Sequence, residues 1–268
     1  MWPGGVAGGA RPRRTMVFLS VLVCASMCLG QTDTPVPLTQ EPSHHLALEN
    51  DYVRVFKVEV APHAPTLLHE HDRDYVFVSI GAGEITNAVQ GRSPLEQSLA
   101  DGDTRFAKGP FAHIAINRAA TPFRNVTVEL KKKTTKEVCG FAGRACPTSM
   151  AVTGGSISVG SGGLQSADVK FTQEPIFETD AVRATRVRIQ PGGVSPEHEQ
   201  KQPRLLIAVS DLEITNTGRA GEGTQGMPRP FNVSKQKAGD IVWVPAQGPH
   251  TITNNGTQPA HYVILEFK

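Results

Sequence analysis

The chain repeats itself. Glu49-Asn50-Asp51-Tyr52-Val53-Arg54 is matched by Glu178-Thr179-Asp180-Ala181-Val182-Arg183, and Glu84-Ile85-Thr86-Asn87 by Glu213-Ile214-Thr215-Asn216. Both matches share one offset, which also sets His69 on His198 and His71 on Gln200. Farther on, Asp101-Gly102-Asp103 falls on Ala238-Gly239-Asp240, and His113 with Asn117 falls on His250 with Asn254, at an offset eight larger. The second copy therefore carries an insert between Gly218 and Pro230. A repeat of this length means that one structural unit is built twice. At 268 residues the chain has room for two domains of ordinary size, each able to bury its own core.

Within each copy the pattern is β. The run from Tyr52 to Val60 alternates apolar and polar residues, as do Ala184 to Ile189 and Asp240 to Val244. Short β-branched runs are broken by Pro62-His63, Gly81-Ala82-Gly83, Gly91 and Asp101-Gly102-Asp103. Each copy ends in a similar strand, Asn125 to Leu130 and Tyr262 to Phe267. Many short strands with frequent turns imply a sandwich or barrel, and two copies imply two of them. The expected organisation is a signal peptide over 1–30, an extended mobile arm over 31–43, a first barrel over 44–130, a linker over 131–169 and a second barrel over 170–268.

The two copies differ where chemistry would sit. The first carries His69-Glu70-His71, Asp74 and His113; the second carries His198-Glu199-Gln200, Pro203 and His250. Residues two apart on a strand face the same way, so His69 and His71 share a side and Glu70 takes the other. Asp72-Arg73 can turn the chain and return Asp74 to that side, while His113 arrives from a distant strand. Three imidazoles and a carboxylate suit a divalent transition metal (Fe, Mn, Zn, Ni or Cu) and leave about two positions open on an octahedral ion. The bland reading is a set of ordinary polar strand residues. It is weakened by the His-x-His spacing, because two imidazoles close together on an inner wall need a partner. In the second copy His198, Gln200 and His250 form at most a weak site, with His261 on the last strand as a further imidazole. Val76, Val78 and Ile80 continue the phase of Asp74 and wall a pocket or fill a core. Asn117 and Asn254 fit turn or strand hydrogen bonds, and Arg54 and Arg183 occupy matching structural places.

At these residues the sequence resembles the cupin superfamily. The first cupin motif is represented by His69, His71, Asp74 and Gly81, with Asp in place of the usual Glu and one residue early. The second is represented by Gly102, His113 and Asn117, and in the other copy by Gly239, Pro245, His250 and Asn254. The resemblance implies an all-β protein of two tandem cupin-type (jelly-roll) antiparallel β-barrels, with His69, His71, Asp74 and His113 as metal ligands. A three-histidine site with Asp74 behind it is the alternative.

The leader reads as a secretory signal. Arg11, Arg13 and Arg14 precede an apolar run from Met16 to Leu29 that is short for a bilayer span, and cleavage after Gly30 fits the small-residue rule. Translation from Met16 would remove the arginines. Export leaves Cys139 and Cys146, seven positions apart, to be bridged in a small loop. Asn125, Asn232 and Asn255 match the glycosylation pattern, which often arises by chance. Without the three leader arginines, the 27 basic residues fall to 24 against 25 acidic ones. That balance gives no electrostatic case for nucleic acid or an anionic membrane, and Lys131-Lys132-Lys133 reads as a solvated linker.

Nothing in the chain resembles a nucleophile elbow, a phosphate loop or a dinucleotide fingerprint. The leading expectation is an exported metal-dependent enzyme, of dioxygenase type, acting on a small oxygen-bearing substrate as a monomer or homodimer with no stable membrane span. A non-catalytic metal- or ligand-binding protein and a structural or storage-like protein are the alternatives, because one fold supports many functions.

Overall fold

The computed structural model describes residues 34–135, 137–139, 152–154, 169–218 and 229–268. In chain order the first half contains β1 (Val36–Pro37), β2 (His44–Glu49), β3 (Val53–Val60), β4 (His69–His71), β5 (Tyr75–Ile80), β6 (Gly83–Val89), β7 (Leu95–Leu99), β8 (Thr104–Ala107), β9 (Phe111–Asn117) and β10 (Phe123–Leu130). Two short strands follow, β11 (Glu137–Cys139) and β12 (Val152–Gly154). The second half contains β13 (Phe171–Thr179), β14 (Val182–Ile189), β15 (His198–Gln200), β16 (Arg204–Ala208), β17 (Leu212–Gly218), β18 (Arg229–Gln236), β19 (Ile241–Val244), β20 (Gln247–Asn254) and β21 (Ala260–Phe267). The signal-peptide reading and Cys146 lie outside the described residues. Cys139 ends β11. Among the described residues no helix is long and apolar enough to cross a membrane.

Each half is a pair of sheets. The first half pairs the order β1-β4-β9-β6-β7 with β2-β3-β10-β5-β8. The second pairs β15-β20-β17-β18 with β11-β13-β14-β21-β16-β19, and β12 adds to β13. Among the described residues, every pairing apart from β1 on β4 is antiparallel, as expected where short hairpins and long returns join strands. The repeat is carried into the details. Gly102 and Gly239 hold the same turn at φ +78° and +88°, a conformation that favours glycine. Thr66 Oγ1 accepts the Ala115 N–H, and Ser195 Oγ accepts the Ile252 N–H. Asn117 donates through Nδ2 to the carbonyls of Val60, Ala61 and Thr121; Asn254 does so to those of Ile189 and Gln258. Both asparagines hold turns. The eight-residue difference in offset falls between β17 and β18, at 219–228, outside the described residues.

Period-two alternation divides the strands between two kinds of interior. On β3, β5 and β10 one phase (Val53, Val55, Val76, Val78, Ile80, Val126, Val128 and Leu130) packs against Val182, Ala184, Leu205, Ile207, Val263, Leu265 and Phe267 of the second half. The two halves therefore share one core, between the sheet of the first that holds β3, β10 and β5 and the sheet of the second that holds β14, β21 and β16. The opposite phase (Phe56, Val58, Val60 and Phe123) joins Leu38, Ile85 and Leu99 inside the first half. Inside the second half, Val187, Ile189, Leu206, Ile214, Tyr262 and Ile264 play that part.

One expectation changes here. The described part of the arm is docked: β1 pairs with β4, Leu38 is buried in the first core, and Glu41 is buried beside it. Of the two readings of Val76, Val78 and Ile80, core is the one observed: they pack between the halves, and Tyr75 and Phe77 face the pocket.

Candidate metal centre

His69 and His71 lie on β4 and His113 lies directly across from His69 on β9. All three are buried. The ring centroids of His69 and His113 are 4.5 Å apart, those of His69 and His71 5.2 Å, and His113 Nε2 is 3.2 Å from His71 Nε2. The structure thus brings together the three histidines singled out in the sequence.

Asp74 is elsewhere. Its Oδ1 accepts the Gly109 N–H at 3.1 Å and its Oδ2 accepts the Thr134 N–H at 2.9 Å. The reason is phase: Tyr75 faces the pocket, so Asp74, one position earlier on the run into β5, faces away. Gly109 comes so close that a Cβ there would lie 2.4 Å from the Arg73 carbonyl oxygen. Asp74 ties the β8–β9 connection and the chain after β10 to the start of β5.

The fourth imidazole is His44, the first residue of β2. Its ring centroid is 4.8 Å from that of His69, and ligand atoms of His44, His69 and His71 lie within 4.8 Å of one another. The sequence held a signal for it: at the repeat offset, His44 falls on Gln173, so it too belongs to the copy-specific histidines.

The outward nitrogens show how these rings are aimed. His44 Nδ1 donates to Glu41 Oε2 at 2.6 Å, His69 Nδ1 to the Leu67 carbonyl at 2.9 Å, and His113 Nδ1 to Asn87 Oδ1 at 2.7 Å. Each such bond leaves the Nε2 lone pair of its ring free to ligate, an arrangement typical of metal-bound histidine. His69 Nε2 is buried without a hydrogen-bond partner. His71 Nδ1 faces Glu129 Oε1 at 3.8 Å, too far for a hydrogen bond. The donor set and the orphaned nitrogen fit a divalent transition metal held by His44, His69, His71 and His113.

Electrostatics keep these lone pairs available. Burial, reinforced by neighbouring imidazoles, holds His69 down to about 4 and His113 down to about 3, and puts His71 well below its ordinary range. Glu129 is fully buried and forms an ion pair with Arg54 at 2.6 Å, without hydrogen-bond alignment. Burial raises it to about 7 although Arg54 opposes the shift. The matching pair in the second half is Arg183 with Glu266, at 3.5 Å.

The histidines border a small cleft of about 70 Å³. Tyr75 stacks on His71 with centroids 4.1 Å apart, and Phe77, Ile85 and Phe123 supply apolar wall. Asn125, Thr127 and Gln97 add polar edges.

The second half keeps only part of this. His198 and His250 are cross-strand partners with centroids 4.3 Å apart, and their Nδ1 atoms donate to the Pro196 and Gly248 carbonyls. Gln200 is committed to structure: its amide nitrogen donates to the carbonyls of Gln202, Val244 and Pro245. His261 lies on β21 with its Nε2 buried and unpartnered. Pro203 accepts the Phe267 N–H through its carbonyl.

This architecture is that of the two-barrel cupins. The chain is similar to Bacillus subtilis oxalate decarboxylase, studied for its Mn(II) centres, at 14% identity over 83% of this chain and 74% of that one, with a TM-score of 0.52. It is also similar to a cupin 2 conserved barrel domain protein from Leptotrichia buccalis, at 13% identity over 84% and 88% of the two chains (TM-score 0.47). AerE from Microcystis aeruginosa matches at 12% identity over 85% and 98% (TM-score 0.49). At such identities the likeness concerns the fold. No protein-family model and no curated protein matches the sequence.

Proposed function

We propose that this chain is an exported metal-dependent enzyme that binds a small oxygen-bearing substrate, anionic for preference, at the first barrel and carries out dioxygenase-type oxidation. The observation that carries the reading is the set of four imidazoles, three of them held by hydrogen bonds that aim Nε2 inward beside an apolar cleft. Bound there, a divalent transition metal supplies a Lewis acid and, if it is iron or copper, a redox centre. The donors are neutral, so the site keeps a positive charge that favours an anionic oxygen ligand. Tyr75, Phe77 and Phe123 restrict water on one side of the cleft. Asn125 accepts the Thr127 hydroxyl at 2.9 Å, which leaves its amide N–H groups to orient a substrate oxygen. The leader over 1–30 supports export.

The test is dioxygen uptake by iron-loaded protein with a panel of small hydroxy acids and diketones. Uptake above that of free iron, lost in His113→Ala, is the expected result. The similarity to oxalate decarboxylase supplies a second reading, tested in parallel as carbon dioxide release from oxalate by manganese-loaded protein. Metal binding with neither activity would favour a non-catalytic binding protein.

A further inference from the structure

Arg204 is 8% exposed and faces the interior of the second half beside Leu206, and its side chain makes no direct hydrogen bond or ion pair with any described residue. Its Nε is buried and unpartnered. The closest acid by register is Glu266, its cross-strand partner on β21, but that carboxylate is engaged by Arg183. Glu266 offsets part of the cost of burying this guanidinium without touching it, and native proteins keep such a charge where something else completes its neutralisation.

Its place is telling. Arg204 pairs with Glu266 as Tyr75 pairs with Glu129, so the two residues are equivalent in the two halves. In the first half this position holds an uncharged aromatic ring against the histidines. In the second it holds a fixed positive charge that works against protonation of both His198 and His250. A cation has little reason to enter such a site, and an anion has a strong one.

We propose that the second barrel is a binding site for a small organic carboxylate, with Arg204 as its anchor. The cleft holds about 160 Å³, room for a small ligand only. Leu206, Val242 and Ile252 offer it an apolar wall. Asn216 and Gln247, hydrogen-bonded to one another at 3.0 Å, line the same cleft as polar groups. A guanidinium grips a carboxylate through two parallel N–H···O bonds, while the apolar wall takes the carbon body.

The experiment is isothermal titration of the full chain with benzoate, acetate and the neutral isostere benzamide, repeated on His71→Ala to remove any contribution of the first barrel. Benzoate should bind in both proteins, and benzamide roughly tenfold or more weaker. Arg204→Gln should lose benzoate by a similar factor, whereas Arg204→Lys should keep part of it. Benzoate should also raise the melting temperature of the wild type but not of Arg204→Gln. Should Arg204→Gln fail to fold, the benzoate–benzamide comparison in the wild type still decides. Absence of binding by both carboxylates, equal binding of benzamide, or unchanged benzoate binding in a folded Arg204→Gln would overturn the proposal. Binding lost in His71→Ala would do so as well, by moving the carboxylate to the first barrel.

Discussion

His113 Nε2 stands 3.2 Å from His71 Nε2, both buried. His113 has already committed its Nδ1 proton to Asn87, so its Nε2 presents a lone pair. His71 must meet that lone pair with its own proton or, with a cation between them, with a second lone pair. The contact is therefore poised between a protonic and a metallic partner.

The outward hydrogen bonds should matter nearly as much as the ligands. Asn87→Ala and Glu41→Ala each free one imidazole, His113 and His44 respectively, to rotate. Each is expected to weaken metal binding by about 10–100-fold, and Glu41→Ala should also cost stability because it strands the Ser43 and Leu67 N–H groups. Competition against a chromophoric chelator measures this, and unchanged affinity in both variants would refute the assigned ring orientations.

His44 and Asp74 should fail in opposite ways. His44→Ala is expected to lower metal affinity with little effect on unfolding. Asp74→Ala strands the buried N–H of Thr134 and that of Gly109, at about 1–3 kcal/mol for each group, yet leaves the metal site's donors in place. Urea denaturation beside metal titration separates the two. Loss of metal in a folded Asp74→Ala, with affinity intact in His44→Ala, would restore the carboxylate ligand.

The shared core predicts cooperative unfolding. Leu265 is fully buried between the halves, and Leu265→Ala should cost about 2–5 kcal/mol. Trp243 stacks on Phe267 at that junction with centroids 5.3 Å apart. Its fluorescence and the far-ultraviolet circular dichroism of the whole chain should therefore change together in urea, in one transition. Two separate transitions would show that the halves unfold independently.

Acid should destabilise the protein partly through His261. Burial above all, with Arg188 adding to it, holds this imidazole down to about 4. In the unfolded chain it titrates near 6.5, so the unfolded state takes up a proton first. Its effect is absent above about 6.5 and grows as a loss of stability as pH falls towards 4. His69, His71 and His113 shift in the same direction, so the comparison is with His261→Gln, whose urea midpoint should fall less steeply over that window. Parallel curves would contradict the assignment.

Much of this was legible before any coordinates. Two-residue alternation located the long strands, and the repeat paired β3 with β14, β5 with β16 and β10 with β21. The three buried histidines stood out because the second copy lacks one of them. Two readings of Asp74 are open in the sequence, ligand or support behind three histidines, because a one-residue difference on a strand selects the opposite face; its bonds to Gly109 and Thr134 favour the second. His44 was missed because it follows a proline-containing arm read as mobile, and only long-range pairing of β1 with β4 and burial of Leu38 dock that arm. Arg204 was hidden for a related reason. Pro203 is the register equivalent of Asp74, while the residue that faces the cleft lies one position later.

Elemental analysis of metal in the full chain, purified without a metal-binding tag, tests the central claim most directly, with His71→Ala and His250→Ala measured alongside. The account predicts about one transition-metal ion per chain, lost in His71→Ala and kept in His250→Ala. Absence of metal after reloading, or equal loss from both variants, would contradict a single metal centre in the first barrel.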